Sequence, residues 1–133
     1  MLTVSVYSFS YFNGHPSDTS GNGGGFVFDC RALPNPGRYP EYKQVNGTQQ
    51  VVIDFFKPYP ECEEFLSNIY SITSPSIKKY IERDFTHLMI NFGCTGGQHR
   101  SVYFAEKTAA YIKANFPVRV IINHREQNIY KEL

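Results

Sequence analysis

The chain has 133 residues, 41% of them hydrophobic and 19% charged, which suffices for the core of one compact domain. Thirteen basic residues against twelve acidic ones leave a formal net charge of +1, so global charge excludes strong non-specific attraction to nucleic acid, and any RNA contact needs a local cluster of Lys and Arg. No apolar run reaches the roughly eighteen residues of a membrane span, no signal-peptide pattern opens the chain, and Cys30, Cys62 and Cys94 form an odd set without a close pair; a cytoplasmic protein with reduced thiols and no membrane contact is the expectation.

Thr3 to Phe9 alternates loosely with a two-residue rhythm and is predicted to be the first strand. Asn13 to Gly25 holds five of the ten glycines and almost nothing apolar, so it is predicted to be a surface loop, either a connector or a ligand-covering lid. Phe26 to Cys30 follows as a second strand, with Phe26, Phe28 and Cys30 on one face and Val27, Asp29 and Arg31 on the other. Three prolines between Ala32 and Pro40 make that segment a fixed turn rather than a hinge.

Thr48 to Lys57 is predicted as a short helix capped by Thr48, with Val51, Val52, Phe55 and Phe56 on its packing side. Pro60 suits the first position of another helix, whose stripe is Phe65, Ile69 and Ile72; Ser74-Pro75 is read as the start of a further helix running to about Arg83. Lys78, Lys79 and Arg83 on it are the local basic cluster an RNA reading would use, and a solvated helix face explains them as well.

Leu88 to Phe92 is a buried strand, and helical spacing resumes at Val102, Ala105, Ala109 and Ile112. Between them lies Cys94-Thr95-Gly96-Gly97-Gln98-His99-Arg100-Ser101, at a strand end and a helix start. The first N–H groups of a helix have no intrahelical acceptor and carry the positive end of the dipole, so this turn is built to hold an anion. Gly96 and Gly97 admit close approach, Arg100 offers a two-pronged donor, and Thr95, Gln98, His99 and Ser101 add further donors. Pro117 ends the helix, Val118 to Ile122 is the last strand, and His124 and Arg125 lie just beyond it. Strands alternating with helices predict an α/β fold: one three-layer domain with a mixed, mostly parallel sheet flanked by helices. Ligands in such sheets bind at the strands' carboxyl ends, where the loop after Phe92, the Asp29/Arg31 exit and the His124/Arg125 exit are expected to converge.

Cys94, Arg100 and Ser101 also match the C-x5-R-[ST] spacing of cysteine-dependent phosphatases, although Gly93 stands where that family usually has His. A buried thiol that supports the turn is the other reading of Cys94. Across almost the whole chain the segments SFSYFNGHP, VFDCRALPNP, NGTQQVVIDFF, GCTGGQHRSVYFAE and NHRE resemble, in order, the carboxyl-terminal domain of the RapZ family of RNase adapter proteins. That resemblance implies a helix-flanked sheet, a pocket for a phosphorylated amino sugar or similar anion, self-association, and in some relatives binding of small RNA. It also implies a P-loop domain or a kinase-like domain, fused or separate, as a companion; no G-x-x-x-x-G-K-[ST] occurs in this sequence, so ATP binding is not carried over. Gly37-Arg38-Tyr39 departs from the aromatic or His that commonly follows LPNP in the family, and Gln98 stands where a Lys is common. The sequence thus predicts a noncatalytic sensor domain that binds a phosphorylated sugar through Cys94 to Ser101, with Asp29, Arg31, His124 and Arg125 nearby, and that needs no metal or cofactor.

Overall fold

Parallel strands need crossover connections, and this chain supplies two helical ones. The computed structural model describes residues 1–133 and orders them as β1 (Thr3–Ser10), β2 (Gly25–Asp29), α1 (Gln50–Phe56), α2 (Pro60–Glu82), β3 (His87–Cys94), α3 (Arg100–Asn115), β4 (Arg119–His124) and β5 (Ile129–Glu132). The sheet runs β2-β3-β1-β4-β5, with the first four strands parallel and β5 antiparallel to β4. Ser10 pairs with Cys94, Asp29 with Gly93 and Ser8 with His124, so four carboxyl ends lie side by side at one edge. The exits of β2 and β3 lie together there, and β4 ends two residues short of them, opposite Ser8.

One face of the sheet carries Val4, Val6, Ile90, Phe92, Val120 and Ile122, all fully buried, and the three helices pack on it through Phe56, Leu66, Ile69, Ile77, Phe104, Ala109 and Ile112. Ser5, Tyr7, Met89 and Ile121 alternate onto the opposite face, where they line a cavity together with Asp18, Thr19 and Ser20 of the glycine-rich segment. The layer on this side is therefore loop rather than helix, while the α/β class and the mostly parallel mixed sheet are as read. No helix is long and apolar enough to cross a membrane.

Several elements differ in detail from the sequence reading. Ser74-Pro75 does not start a new helix, because α2 runs unbroken through Pro75. A proline inside a helix costs about 3 kcal/mol through its missing N–H and ring clash. Here Ser71, four residues before, is exposed so that water can satisfy its carbonyl, and Leu66, Ile69, Thr73 and Ile77 form one buried stripe across the break. Ile72, expected in that stripe, is 55% exposed. Thr48 does not cap α1 either: its N–H and hydroxyl both donate to Asn46 Oδ1 (2.9 and 2.6 Å), and the helix begins two residues later. The last parallel strand extends to His124, and a short, polar edge strand, β5, follows a turn in which Asn128 takes a left-handed conformation (φ 54°).

Candidate functional site

The loop between β3 and α3 is shaped by bonds from five segments. Cys94 Sγ accepts the Gly97 N–H (3.3 Å) and donates to Ser101 Oγ (3.1 Å). Gly97 turns the chain with φ +67°, and a Cβ there would lie 2.7 Å from Glu126 Cγ. Ser10 Oγ donates to the Thr95 carbonyl (2.6 Å), and Gln127 Nε2 donates to that of Gly97 (3.2 Å). From the other side Gln98 Nε2 donates to the carbonyls of Lys43 (2.8 Å) and Val45 (2.9 Å), while the Gly47 N–H returns to Gln98 O (2.9 Å). A Cβ on Gly47 would stand 2.5 Å from both His99 O and Tyr103 N. Gly47→Ala is accordingly expected to push the Tyr42–Thr48 segment off the loop and to lower stability by about 2 kcal/mol or more, read as a drop in urea midpoint at unchanged slope.

Held in this shape, the loop leaves the N–H groups of Gly96, Gln98, His99, Arg100 and Ser101 without an acceptor in the chain. Of these residues, Gly96, Gln98, His99 and Arg100 line a cavity of about 180 Å³ whose walls also include Asn35, Gly37, Cys94 and Thr95. His99, the residue before α3, caps nothing with its side chain; its Nε2 donates to the Tyr42 carbonyl (2.7 Å), so the neutral ring has its lone pair at Nδ1.

Arg100 is only 6% exposed. Its Nη1 donates to the carbonyls of Arg31 (2.6 Å) and Leu33 (3.3 Å), its Nη2 lies 3.5 Å from Thr95 Oγ1, and its Nε makes no hydrogen bond within the chain. No carboxylate pairs with it. Asp29, the obvious partner, is taken by Arg31 through two side-chain bonds of 2.9 and 2.7 Å, and Arg31 stacks on the Tyr11 ring with its guanidinium carbon 3.9 Å from the centroid. The hydrogen bond from Arg31 holds the Asp29 carboxyl below its ordinary range against the opposing effect of burial. A buried guanidinium at a helix N-terminus, with no carboxylate in direct contact and only the shared charge of Asp29 nearby, is incompletely compensated.

The structure brings Thr95, Gly96, Gly97, Gln98, His99, Arg100 and Ser101 together around the thiol of Cys94, with Asp29 and Arg31 beside Arg100. His124 lies elsewhere. It alternates with Val120 and Ile122 on the buried face, where its Nδ1 meets Ser8 Oγ (2.6 Å) and its Nε2 donates to Glu106 Oε2 (2.7 Å). Arg125 reaches the Gly14 carbonyl (2.6 Å) and Glu126 rather than the cavity. Gly93 explains why the phosphatase His is missing, since a Cβ there would lie 2.5 Å from the Phe9 and Tyr11 rings. Asn35 and Glu126 are not among the residues the sequence marks as candidates, and Gly37 is marked there only as a departure from the family pattern. Glu126 accepts the Ser10 N–H (2.6 Å) and packs against Gly97, and its place in the NHRE segment was the available signal.

Residues 2–128 match the family model of the RapZ C-terminal domain. A nucleotide-binding protein of Pseudothermotoga lettingae is 36% identical over 127 residues, covering 96% of this chain and 43% of the relative. Those of Nitrosomonas europaea and Nitrosomonas eutropha are 38% and 39% identical over 130 and 124 residues, covering 98% and 93% of this chain and 43% and 41% of the relatives. The chain thus spans about two fifths of the length of these curated relatives. With its loop, its strand exits and nearly its full length matched, the chain belongs to the RapZ C-terminal domain family.

Proposed function

We propose that this is a noncatalytic sensor domain that binds a phosphorylated sugar, an amino sugar phosphate in particular, with the phosphate seated in the Cys94–Ser101 loop. One observation carries the reading: Arg100 is buried without a carboxylate in ion-pair contact at a cavity lined by four of the residues with acceptor-less N–H groups, Gly96, Gln98, His99 and Arg100 itself. A phosphate oxygen supplies what both lack, a negative charge and acceptor lone pairs, in a place screened from water. Asn35 and Thr95 provide polar edges for sugar hydroxyls. The loop is tied to β1, to the turn after β4 through Glu126 and Gln127, and to the Tyr42–Gly47 segment at once, so a bound anion stiffens several surface segments together, and a companion domain or separate partner reads that change. Binding to the folded state alone raises stability by RT ln(1 + [L]/Kd), about 2.7 kcal/mol at a hundredfold excess over Kd. Glucosamine 6-phosphate is expected to raise the thermal midpoint by several degrees in a concentration-dependent way, and unphosphorylated glucosamine is expected to leave it unchanged. Equal effects of the two sugars would overturn the phosphate assignment.

A cysteine-dependent phosphatase is a second reading, favoured by the contacts of Cys94 Sγ with the Gly97 N–H and Ser101 Oγ at the cavity floor. It requires a general acid, and the nearby carboxylate, Asp29, is held ionised by Arg31. No turnover of an aryl phosphate is therefore expected. Turnover that disappears in Cys94→Ser would replace the sensor reading.

A further inference from the structure

The anion cavity is not isolated. A second cleft of about 380 Å³, lined by Arg31, Leu33, Asn35, Arg38, Glu61 and Arg100, shares Asn35 and Arg100 with it. Between the two stands the turn Pro36–Arg38, which is fixed in place: Pro34 and Pro36 restrict the backbone, Pro36 is buried, and Asn35 Oδ1 accepts the Gly37 N–H (2.9 Å). Arg100 clamps the preceding residues through the Arg31 and Leu33 carbonyls. Gly37 faces the first cavity and Arg38 the second. A Cβ on Gly37 would come within 3.0 Å of Asn35 Oδ1 and 3.6 Å of His99 Nδ1, so its absence keeps the cavity open at the junction.

Charge in this second cleft is unevenly matched. Arg31 is neutralised by Asp29 behind it, whereas Arg38 and Arg100 have no carboxylate within ion-pair distance. Glu61 is the single carboxylate of the wall and pairs with none of them. The Nε of Arg100 is still free to donate, as is the guanidinium of Arg38 on its rigid turn.

Resting on the reading of the Cys94–Ser101 loop as a phosphate seat, we infer that the natural ligand is doubly anionic: a sugar with a second phosphate, held in the adjoining cleft by Arg38 and by Arg100, which both line it. Arg38 is then a specificity residue that does not touch the first phosphate. Glu61 opposes the second one. An ammonium group in the cleft would have the reverse dependence on these two side chains, so their substitution tells the two occupants apart.

The test is calorimetric titration of the intact chain with glucosamine 6-phosphate and glucosamine 1,6-bisphosphate at matched ionic strength, repeated for Arg38→Ala and Glu61→Gln. The bisphosphate is expected to bind about tenfold tighter than the monophosphate. Arg38→Ala is expected to erase that advantage while leaving monophosphate affinity within about twofold, and Glu61→Gln to strengthen the bisphosphate further. A bisphosphate that binds no tighter, or is weakened by Glu61→Gln, overturns this inference and leaves the phosphate seat standing. Failure of both sugars to bind removes the seat and the inference together.

Discussion

Arg100→Ala is expected to lower phosphate affinity by roughly 30-fold or more, about 2 kcal/mol for the loss of charge-assisted bonds, while leaving the chain folded. The ligand-free protein loses two bonds from Nη1 to the Arg31 and Leu33 carbonyls, a cost of about 1 kcal/mol each. It also loses a cation that no carboxylate contacts directly and that the α3 dipole repels, and the two effects oppose each other. Urea unfolding with and without phosphate separates the roles. A structural Arg100 would show a large ligand-free loss and an intact phosphate-dependent gain; the anion-binding Arg100 described above shows the opposite. Lysine at this position is expected to recover part of the affinity through its charge and none of the clamp on Leu33, because one ammonium cannot reproduce the planar fork.

The second large effect is expected at the buried histidine. His124 is fully enclosed between Ser8 and Glu106, and Glu106 also accepts from Lys131 Nζ (2.9 Å). Glu106→Ala strips His124 of its Nε2 acceptor and is expected to cost about 3 kcal/mol of unfolding free energy at neutral pH, without changing phosphate affinity by more than about twofold. Burial raises the Glu106 carboxyl, but hydrogen bonds from His124 and Lys131 outweigh it and hold the group below its ordinary value of 4.5. A depressed carboxyl contributes stability that is fully present above the unfolded value and is lost as pH falls through the folded one. The intact chain should therefore lose stability below about pH 4.5 more steeply than Glu106→Gln does. Parallel acid limbs in the two proteins would show that this carboxylate is not the source.

How far the amino acids announce this arrangement depends on how local each feature is. The Cys94–Ser101 loop was readable because its donors are contiguous and sit where an apolar strand gives way to helical spacing. That Arg100 lacks a carboxylate partner was not, because Asp29 chooses between two arginines by geometry; being two residues apart on one face, Asp29 and Arg31 meet each other first. Asn35 and Gly37 reach the cavity from a turn more than fifty residues away in sequence, and only the sheet register brings that turn to the loop. His124 was misplaced although its signal was present: Val118, Val120, Ile122 and His124 keep one two-residue rhythm, which continues the strand and carries the imidazole inward. In α2 the proline outweighed the stripe of Leu66, Ile69, Thr73 and Ile77 as a local cue, yet tertiary packing kept one helix. The strand β5 is four residues long, polar and at the edge, so it lacks the apolar run by which strands are recognised.

The most direct test of the phosphate seat is a titration of the ¹⁵N-labelled chain with glucosamine 6-phosphate, followed through its backbone amide signals. The signals of Gly96, Gln98, His99 and Arg100, cavity-lining residues whose N–H groups have no acceptor, are expected to move together and saturate with one affinity, while those of α2 stay in place. Saturating shifts elsewhere with these four unmoved at millimolar ligand would contradict the assignment.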